Sequence, residues 1–301
     1  MTTTVQGIQF VKKGASIGSN NLRDLILDSR FKMFKFHSDD IRTLIITNGQ
    51  TTALATFPHG LGYVPAFLAY MGDSSHIYQV PYRKVWGPPI EGGASDDHYF
   101  AYADATNIYI GYKSNRLAGL QTYYASDYWS TWFDSSGYFT VGRDSGNNPH
   151  EGAFRFKGIN LLGSDTLIRA KIKMGTDYKE GSTSNVIKFK TYGIDEDNTP
   201  SFNNPMGRSK TDAYSSNERT VPINYGDDVE VDVVDAVNEI KARGGWSTGN
   251  ALGFIINENS GAVDAEFGSY YSGYGTQLEL IKSGTSEIDF RVIVFKDKLH
   301  A

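Results

Sequence analysis

Leu167–Met174 reads LIRAKIKM, and its alternation of apolar and basic residues predicts the fold class of the chain. Four apolar residues alternate with three basic ones: Ile168, Ala170, Ile172 and Met174 against Arg169, Lys171 and Lys173. Because successive side chains of a strand point to opposite faces, one face of this strand should be buried and the other solvated. That pattern is typical of an antiparallel sandwich, whereas strands of a parallel sheet read as continuous apolar runs.

Short runs of the same kind recur along the chain, each bounded by Gly, Asn, Asp or Pro. They include Gly7–Val11, Thr43–Thr47, Ala66–Tyr70, Asn107–Tyr112, Ala153–Phe156, Val186–Tyr192, Leu252–Asn257, Gln277–Ile281 and Ile288–Phe295. Strands do not alternate with helices, so a nucleotide-binding α/β fold is not indicated. The sequence predicts an all-β protein of two antiparallel β-sandwich (jelly-roll-like) domains, with one short helix in the second.

That helix is predicted within DVVDAVNEIKARGG, where apolar residues fall at helical spacing, Asp232 is the expected N-cap and Gly244 the stop. A weaker pattern predicts about two helical turns over Asn21–Asp28. The linker-like KSNRLAGLQTY separates two strand-rich halves. We therefore predict domains over residues 1–118 and 119–301.

Composition restricts the classes of function. The 301 residues carry a net charge of −5, and the basic residues are scattered, which argues against a nucleic-acid partner. There is no cysteine, so disulfides and thiolate chemistry are excluded. No apolar run reaches the length of a membrane helix, and MTTTVQGIQFVKKGASIG lacks the apolar core of a signal peptide. We expect synthesis in the cytoplasm without membrane insertion.

Tyr192–Phe202 reads YGIDEDNTPSF and places Asp195, Glu196, Asp197 and Asn198 after a strand. An EF-hand is excluded because Pro200 stands where its loop needs Gly and no glutamate occupies the twelfth position. Two interpretations remain: a strand-ending turn, and a looser calcium site that includes Asp195 and Asp197. Calcium is the only cofactor the sequence leaves open.

Aromatic residues are concentrated in two segments of the second half. Trp129 and Trp132 lie in the first segment, and Tyr270, Tyr271 and Tyr274 lie in the second. Exposed rings of this kind stack on sugars, but clustered aromatic residues also form cores and interfaces. Packing and glycan binding both remain open.

Candidate catalytic motifs lack the context they require. GASIG at Gly14–Gly18 matches a nucleophile elbow, but no strand–helix pattern surrounds it. His37–Asp40 and Asp96–His98 each combine histidine with carboxylates and are predicted to be solvated turns. No pair of glycosidase carboxylates can be identified.

The order of segments in the second half carries a resemblance. These segments are AFRFKGI, LIRAKIKM, FKTYGIDEDNTPSFNNPMGRSKT, DVEVDVVDAVNEIKARGGWSTGNALGFII and AEFGSYYSGYGTQLELI. Over roughly Tyr123–Ile281 the chain resembles jelly-roll domains similar to carbohydrate-binding modules, which recur in phage virion proteins and secreted bacterial surface proteins. The resemblance implies that Trp246 is buried under the helix. Over about Val5–Tyr112 the first half, with LRDLILDSRFKMFKFHS and FPHGLGYVPAFLAYMG, is similar to small β-domains of phage structural proteins, especially tail-associated ones. The resemblance implies that His59 belongs to a turn.

The resemblance implies a non-enzymatic phage virion structural protein, a tail fibre or tail-tip component assembled in the host cytoplasm. The first domain would anchor it to other virion proteins, and the second would bind host surface glycan as part of a homo-oligomer, for example a trimer. A capsid decoration or head-fibre cement protein is the first alternative. A glycan-degrading tailspike-like enzyme is the second.

Overall fold

The computed structural model describes residues 9–11, 25–28, 36–72, 76–86, 95–131, 138–143, 147–181, 186–220, 228–258, 265–270 and 276–298. The chain forms two compact units: residues 1–118 with 285–301, and residues 119–284. The predicted second domain, 119–301, therefore ends too late, since the last strand belongs to the first unit.

Strands follow one another through most of the described chain. In the first unit they are β1 (Gln9–Val11), β2 (Leu25–Asp28), β3 (Phe36–Thr47), β4 (Thr52–Pro58), β5 (Pro65–Gly72), β6 (Ile77–Gln79), β7 (Tyr82–Trp86), β8 (Ser95–Ala103) and β9 (Asn107–Ser114). In the second unit they are β10 (Gln121–Ser130), β11 (Tyr138–Arg143), β12 (Pro149–His150), β13 (Gly152–Phe156), β14 (Leu167–Gly181), β15 (Val186–Ile194), β16 (Lys210–Thr220), β17 (Asp228–Asp232), β18 (Leu252–Glu258), β19 (Ala265–Tyr270) and β20 (Thr276–Lys282). A 3₁₀ turn at Pro205–Gly207 precedes β16, helix α1 (Val234–Lys241) follows β17, and β21 (Thr285–Lys298) returns to the first unit. The all-β sandwich-like fold class is confirmed.

The first unit packs two four-stranded antiparallel sheets, in the orders β3-β21-β5-β6 and β4-β9-β8-β7. Alternate residues of both sheets meet in one core, which includes Leu44, Ile110 and Phe290. β1 and β2 form a separate pair, so the helix predicted over Asn21–Asp28 is wrong for Leu25–Asp28. Two turns of helix are marginal without tertiary packing, and here backbone pairing with β1 takes precedence.

The second unit is one antiparallel sheet in the order β12-β11-β19-β14-β20-β10-β13-β18-β15-β16, with β17 also paired to β14. Its two halves share β10, whose first residues pair with β20 and whose last pair with β13. Inner-face residues of both halves form one core cluster, for example Ile172 and Leu280 with Phe154 and Phe254. The sheet therefore folds over on itself, with the core between its halves.

A bulge modifies the alternation of LIRAKIKM. Ala170, Ile172 and Met174 are fully buried, as the alternation predicts. The pairing of β14 with β20 shifts register between Leu167 and Arg169, so Leu167 turns inward and Ile168 is 50% exposed. The prediction that Ile168 is buried is wrong because a bulge opposes two residues to one and reverses the faces before it.

Helix α1 closes one end of the core with Ala236, Val237 and Ile240. Its N-cap residue is Val233, not Asp232 as predicted. Asp232 lies one residue before the N-cap, and its carboxylate still accepts a hydrogen bond from the Val234 N–H (3.0 Å) at the start of the helix. Trp246 is buried in the same cluster and donates its indole N–H to the Leu161 carbonyl, which confirms its structural role.

Strand β21 should be indispensable to the first unit. It lies between β3 and β5 and contributes Phe290, Val292 and Val294 to the core, and burying each such side chain stabilises by about 1.5–3 kcal/mol. A chain ending at Gly284 should therefore lose amide hydrogen-exchange protection in β3, β5 and β9, because the loss approaches the whole stability of a domain. Residues 119–284 alone, the control, should keep a cooperative thermal transition. Native-like protection of β3 in the shortened chain would contradict this assignment.

Candidate functional site

The acidic cluster after β15 forms ion pairs within the second unit. The Arg243 guanidinium, just beyond α1, contacts both Asp195 and Asp197, the latter at 2.8 Å. Glu196 pairs with Arg208 at 3.2 Å. The pKa of Arg243 is raised by its hydrogen bonds to Asp197 and Asp195, so the guanidinium is firmly charged. The two carboxylates thus share an arginine distant in sequence.

Hydrogen bonds between side chains and backbone fix the same turn against the loop before β18. Asn198 accepts the Ala251 N–H through its side-chain oxygen (2.9 Å), and the Asn250 amide donates to the Asp197 carbonyl (2.9 Å). Among the described residues, no three His, Asp or Glu side chains are grouped so as to hold a metal ion. The calcium site at Asp195 and Asp197 stays a prediction, and any cation there would have to displace Arg243.

Gly245 should be essential to this turn. A Cβ on Gly245 would lie 2.1 Å from the Asp197 carboxylate, whereas a Cβ on the adjacent Gly244 would meet nothing within 4 Å. Gly245→Ala should lower the free energy of unfolding by about 1–3 kcal/mol, because Arg243 restrains the carboxylate that must move. Gly244→Ala is the matched control and should be close to neutral in chemical denaturation. Equal effects of the two substitutions would show that the turn is not held as described.

The chain after this turn covers part of the outer face of β13, β18 and β15. Thr199 lies so close to the sheet that a Cβ on Gly253 would be 2.6 Å from its methyl carbon. Phe202 and Met206 pack on a small cluster of Ala153, Ile194 and Ile255. The Phe202 N–H also donates to Asp127 of β10 (2.8 Å).

Strand register places aromatic residues on both sides of this covered patch. The direct cross-strand partners run Trp129, Ala153, Ile255, Tyr192 and Tyr214. Directly opposed residues share a face, so these five form a single row across β10, β13, β18, β15 and β16. We call Trp129, Tyr192 and Tyr214 the aromatic row. Trp129 and Tyr192 are half-buried, and Tyr214 is 48% exposed.

Lysines accompany the tyrosines of the aromatic row. The rings of Tyr192 and Tyr214 are 5.1 Å apart between centroids. The Lys190 ammonium lies 4.5 Å from the Tyr214 centroid, and the Lys210 ammonium lies 5.3 Å from the Tyr192 centroid. Lys210 also donates to the Asn257 side-chain oxygen (3.2 Å). This face therefore combines ring surfaces with cationic and amide groups.

The predicted glycan-binding aromatic residues have different outcomes. Trp129 belongs to the aromatic row, while Tyr270 ends β19 with its backbone opposite Tyr138. Trp132, Tyr271 and Tyr274 lie outside the described residues. Tyr192 and Tyr214 were missed, because nothing in the sequence shows that residues 63 and 85 positions after Trp129 share its row. The only signal in the sequence is their even spacing from lysines of the same strand, which indicates that each tyrosine shares a face with those lysines.

The histidine clusters form separate local contacts in the first unit. His37–Asp40 lies in β3 and Asp96–His98 in β8, so their prediction as turns is wrong: both pair with neighbouring strands. Asp39 pairs with Arg291, and Asp96 with Arg83. His59 is buried. Its ring Nδ1 accepts a hydrogen bond from the Leu61 N–H and its Nε2 donates one to the Asp104 carbonyl, which confirms its place in a turn. GASIG lies outside the described residues.

The other half of the second unit presents a charged outer face. Arg169 and Lys173 reach Glu279, whose side chain is only 8% exposed, and Lys171 and Lys173 reach Glu230. Partial burial alone would raise the pKa of Glu230, but hydrogen bonds and positive charge from Lys171 and Lys173 outweigh it and lower the pKa. For Lys173, burial alone would lower the pKa, but Glu279 and Glu230 together raise it. This face is internally neutralised and structural.

Glu230 should make stability depend on pH. Its lowered pKa means that its contribution is present above the ordinary value of 4.5 and is lost as pH falls through the lower folded-state pKa. At pH 7, Glu230→Gln should reduce the free energy of unfolding by about 0.5–1 kcal/mol, since the pair is partly screened by solvent. At pH 3 the difference from wild type should shrink. Thermal melts at both pH values test this, with Glu287→Gln in the first unit as control. A difference independent of pH would rule out a charge effect.

Comparison with known proteins adds no identification: no family model matches the sequence, and no curated protein shows significant similarity to it. None of the helices in the described ranges is long and apolar enough to cross a membrane. The resemblance to phage virion proteins therefore stays a prediction of the sequence.

Proposed function

We propose that this chain is a non-enzymatic structural protein of a phage virion, a tail-fibre or tail-tip component, whose second unit binds glycan on the host surface. The observation that carries the glycan-binding part is the aromatic row. It places Trp129 and two tyrosines on the outer face of a sandwich, where a half-exposed ring offers its apolar surface while its polar group remains in water.

The dimensions of the row suit an oligosaccharide. Trp129 and Tyr192 are separated by three strand spacings, which is about 14 Å at roughly 4.8 Å per strand. Phe202 and Met206 cover the sheet between these two rings, so a ligand that contacts both rings would pass over an uneven surface. Hydrogen-bonding groups at the rings come from Lys190, Lys210 and Asn257. A saccharide needs such groups because hydroxyl groups surround the apolar faces of its rings.

The first unit supports the anchoring part of the proposal. On the outer face of sheet β3-β21-β5-β6, Ile41 and Ile77 are 62% and 78% exposed, and Ile45 is exposed as well. Exposed apolar side chains grouped on one sheet face are typical of an interface. Other virion proteins and further copies of the chain are the partners we propose for this unit.

Removing single rings should weaken glycan binding without unfolding the protein. Trp129→Ala, Tyr192→Ala and Tyr214→Ala should each weaken binding to host cells and to their purified envelope polysaccharide by about tenfold or more, because each loses a stacking surface. Tyr102→Ala removes a tyrosine of similar exposure, 47%, from the first unit and is the matched control. Binding is measured by cell pull-down and isothermal calorimetry, with circular dichroism to verify folding.

Two results would contradict this proposal. One is wild-type affinity in all three ring variants. The other is release of new reducing ends from the polysaccharide, which would make the chain a glycan-degrading enzyme.

A further inference from the structure

We propose that the saccharide bound along the aromatic row carries negative charge, and that Lys190 and Lys210 recognise its anionic groups. This inference rests on the proposed glycan-binding function and specifies its ligand class. The shared chemistry is a sugar or polyol chain with regularly spaced carboxylates or phosphates.

Both lysines are positioned at the row by their own contacts. Lys190 lies two residues before Tyr192 on β15, hence on the same face, and opposite Asn257 and Ser216. Its ammonium is 4.5 Å from the Tyr214 centroid, while the ammonium of Lys210 is 5.3 Å from the Tyr192 centroid and 3.2 Å from Asn257 Oδ1. Attraction between an ammonium and a ring face restrains each flexible side chain over its tyrosine, where its charge meets a ligand that approaches the row.

Within the described part of the chain, neither ammonium forms an ion pair with a carboxylate. The ion pairs of the second unit cited above involve other cations, such as Lys171, Arg208 and Arg243. The contrast with the opposite half of the sheet is direct, since Lys171 and Lys173 there are held by Glu230 and Glu279. Of the acidic groups near the aromatic row, Glu196 pairs with Arg208, and Asp127 accepts the N–H groups of Phe202 and Tyr128. Asp212 lies between Lys210 and Tyr214 on β16 and is exposed to solvent. The backbone of Glu218 lies opposite Lys188, two pairs further along than Lys190 and Ser216.

The net charge of the whole protein confines attraction for a polyanion to local sites. The chain has a net charge of −5, so a polyanion is repelled by the molecule in general and attracted only where positive charge is concentrated. Two ammonium groups beside two rings form such a place. An anionic saccharide would set its carbon–hydrogen surfaces on the rings and its acidic groups on the lysines, whereas a neutral glycan would leave the lysines' charge unused.

Polygalacturonate and its fully methyl-esterified form differ chiefly in charge, so they separate this inference from glycan binding itself. The intact protein should bind the acidic polymer at least tenfold more tightly at 50 mM salt, and that preference should largely disappear at 500 mM salt because the attraction is screened. Poly(glycerol phosphate) in the same assay distinguishes phosphate from carboxylate as the preferred acidic group.

Variants of the two lysines test whether the preference for the acidic polymer arises at the aromatic row. Lys190→Met and Lys210→Met, which keep the aliphatic length, should each weaken binding of the acidic polymer about fivefold, and Lys190→Arg should largely restore it. Lys113→Met removes the same charge from an exposed position of the first unit and should change nothing.

Outcomes for the two proposals are distinct. Equal affinity for the acidic and esterified polymers, with loss only in the ring variants, would overturn the charge inference and leave glycan binding in place. Tight, salt-sensitive binding that is indifferent to both lysine variants would also overturn it. Absence of binding to acidic, neutral and host envelope polysaccharides alike would overturn both proposals.

Discussion

The register of five strands in the second unit is the constraint on which its candidate site depends. Pairing of β10, β13, β18, β15 and β16 sets Phe154 and Phe254 inward and Trp129, Tyr192 and Tyr214 outward. Side chains alternate with period two, so a slip of one residue would exchange the buried and solvent-facing sets of a strand. The hydrophobic core therefore stabilises the arrangement of the outer face, although none of its residues reaches that face.

Ion pairs between residues distant in sequence hold the chain over that face. Arg243, which follows the only α-helix of the described residues, joins Asp195 and Asp197 at the start of the covering segment, and Thr199 then rests on Gly253. Exposed ion pairs contribute little individually, but here they act together with hydrogen bonds from the Asn250 side-chain amide to the Asp197 carbonyl and from the Ala251 N–H to the Asn198 side chain. An acidic cluster that suggests a metal site in the sequence thus serves to attach a loop.

The first unit follows a different principle, because its sheet is completed by the end of the chain. β21 lies between β3 and β5, so residues separated by the whole second unit must pair before its core closes. Contacts between such distant segments cost more chain entropy to form than local hairpins do. The two units differ in this respect: residues 119–284 are continuous, and the first unit is assembled from two segments.

The sequence by itself determined the all-β class, the position of α1, the buried Trp246 and the turn at His59, because these follow from local periodicity, turn residues and recognisable short patterns. It could not predict the bulge that exposes Ile168, the placement of β21 in the first unit, or the meeting of Arg243 with Asp195 and Asp197. Nor could it reveal the aromatic row, of which it identified Trp129 alone. Alternation specifies which residues share a face of one strand, but which strands lie side by side, and in what register, is decided by tertiary packing.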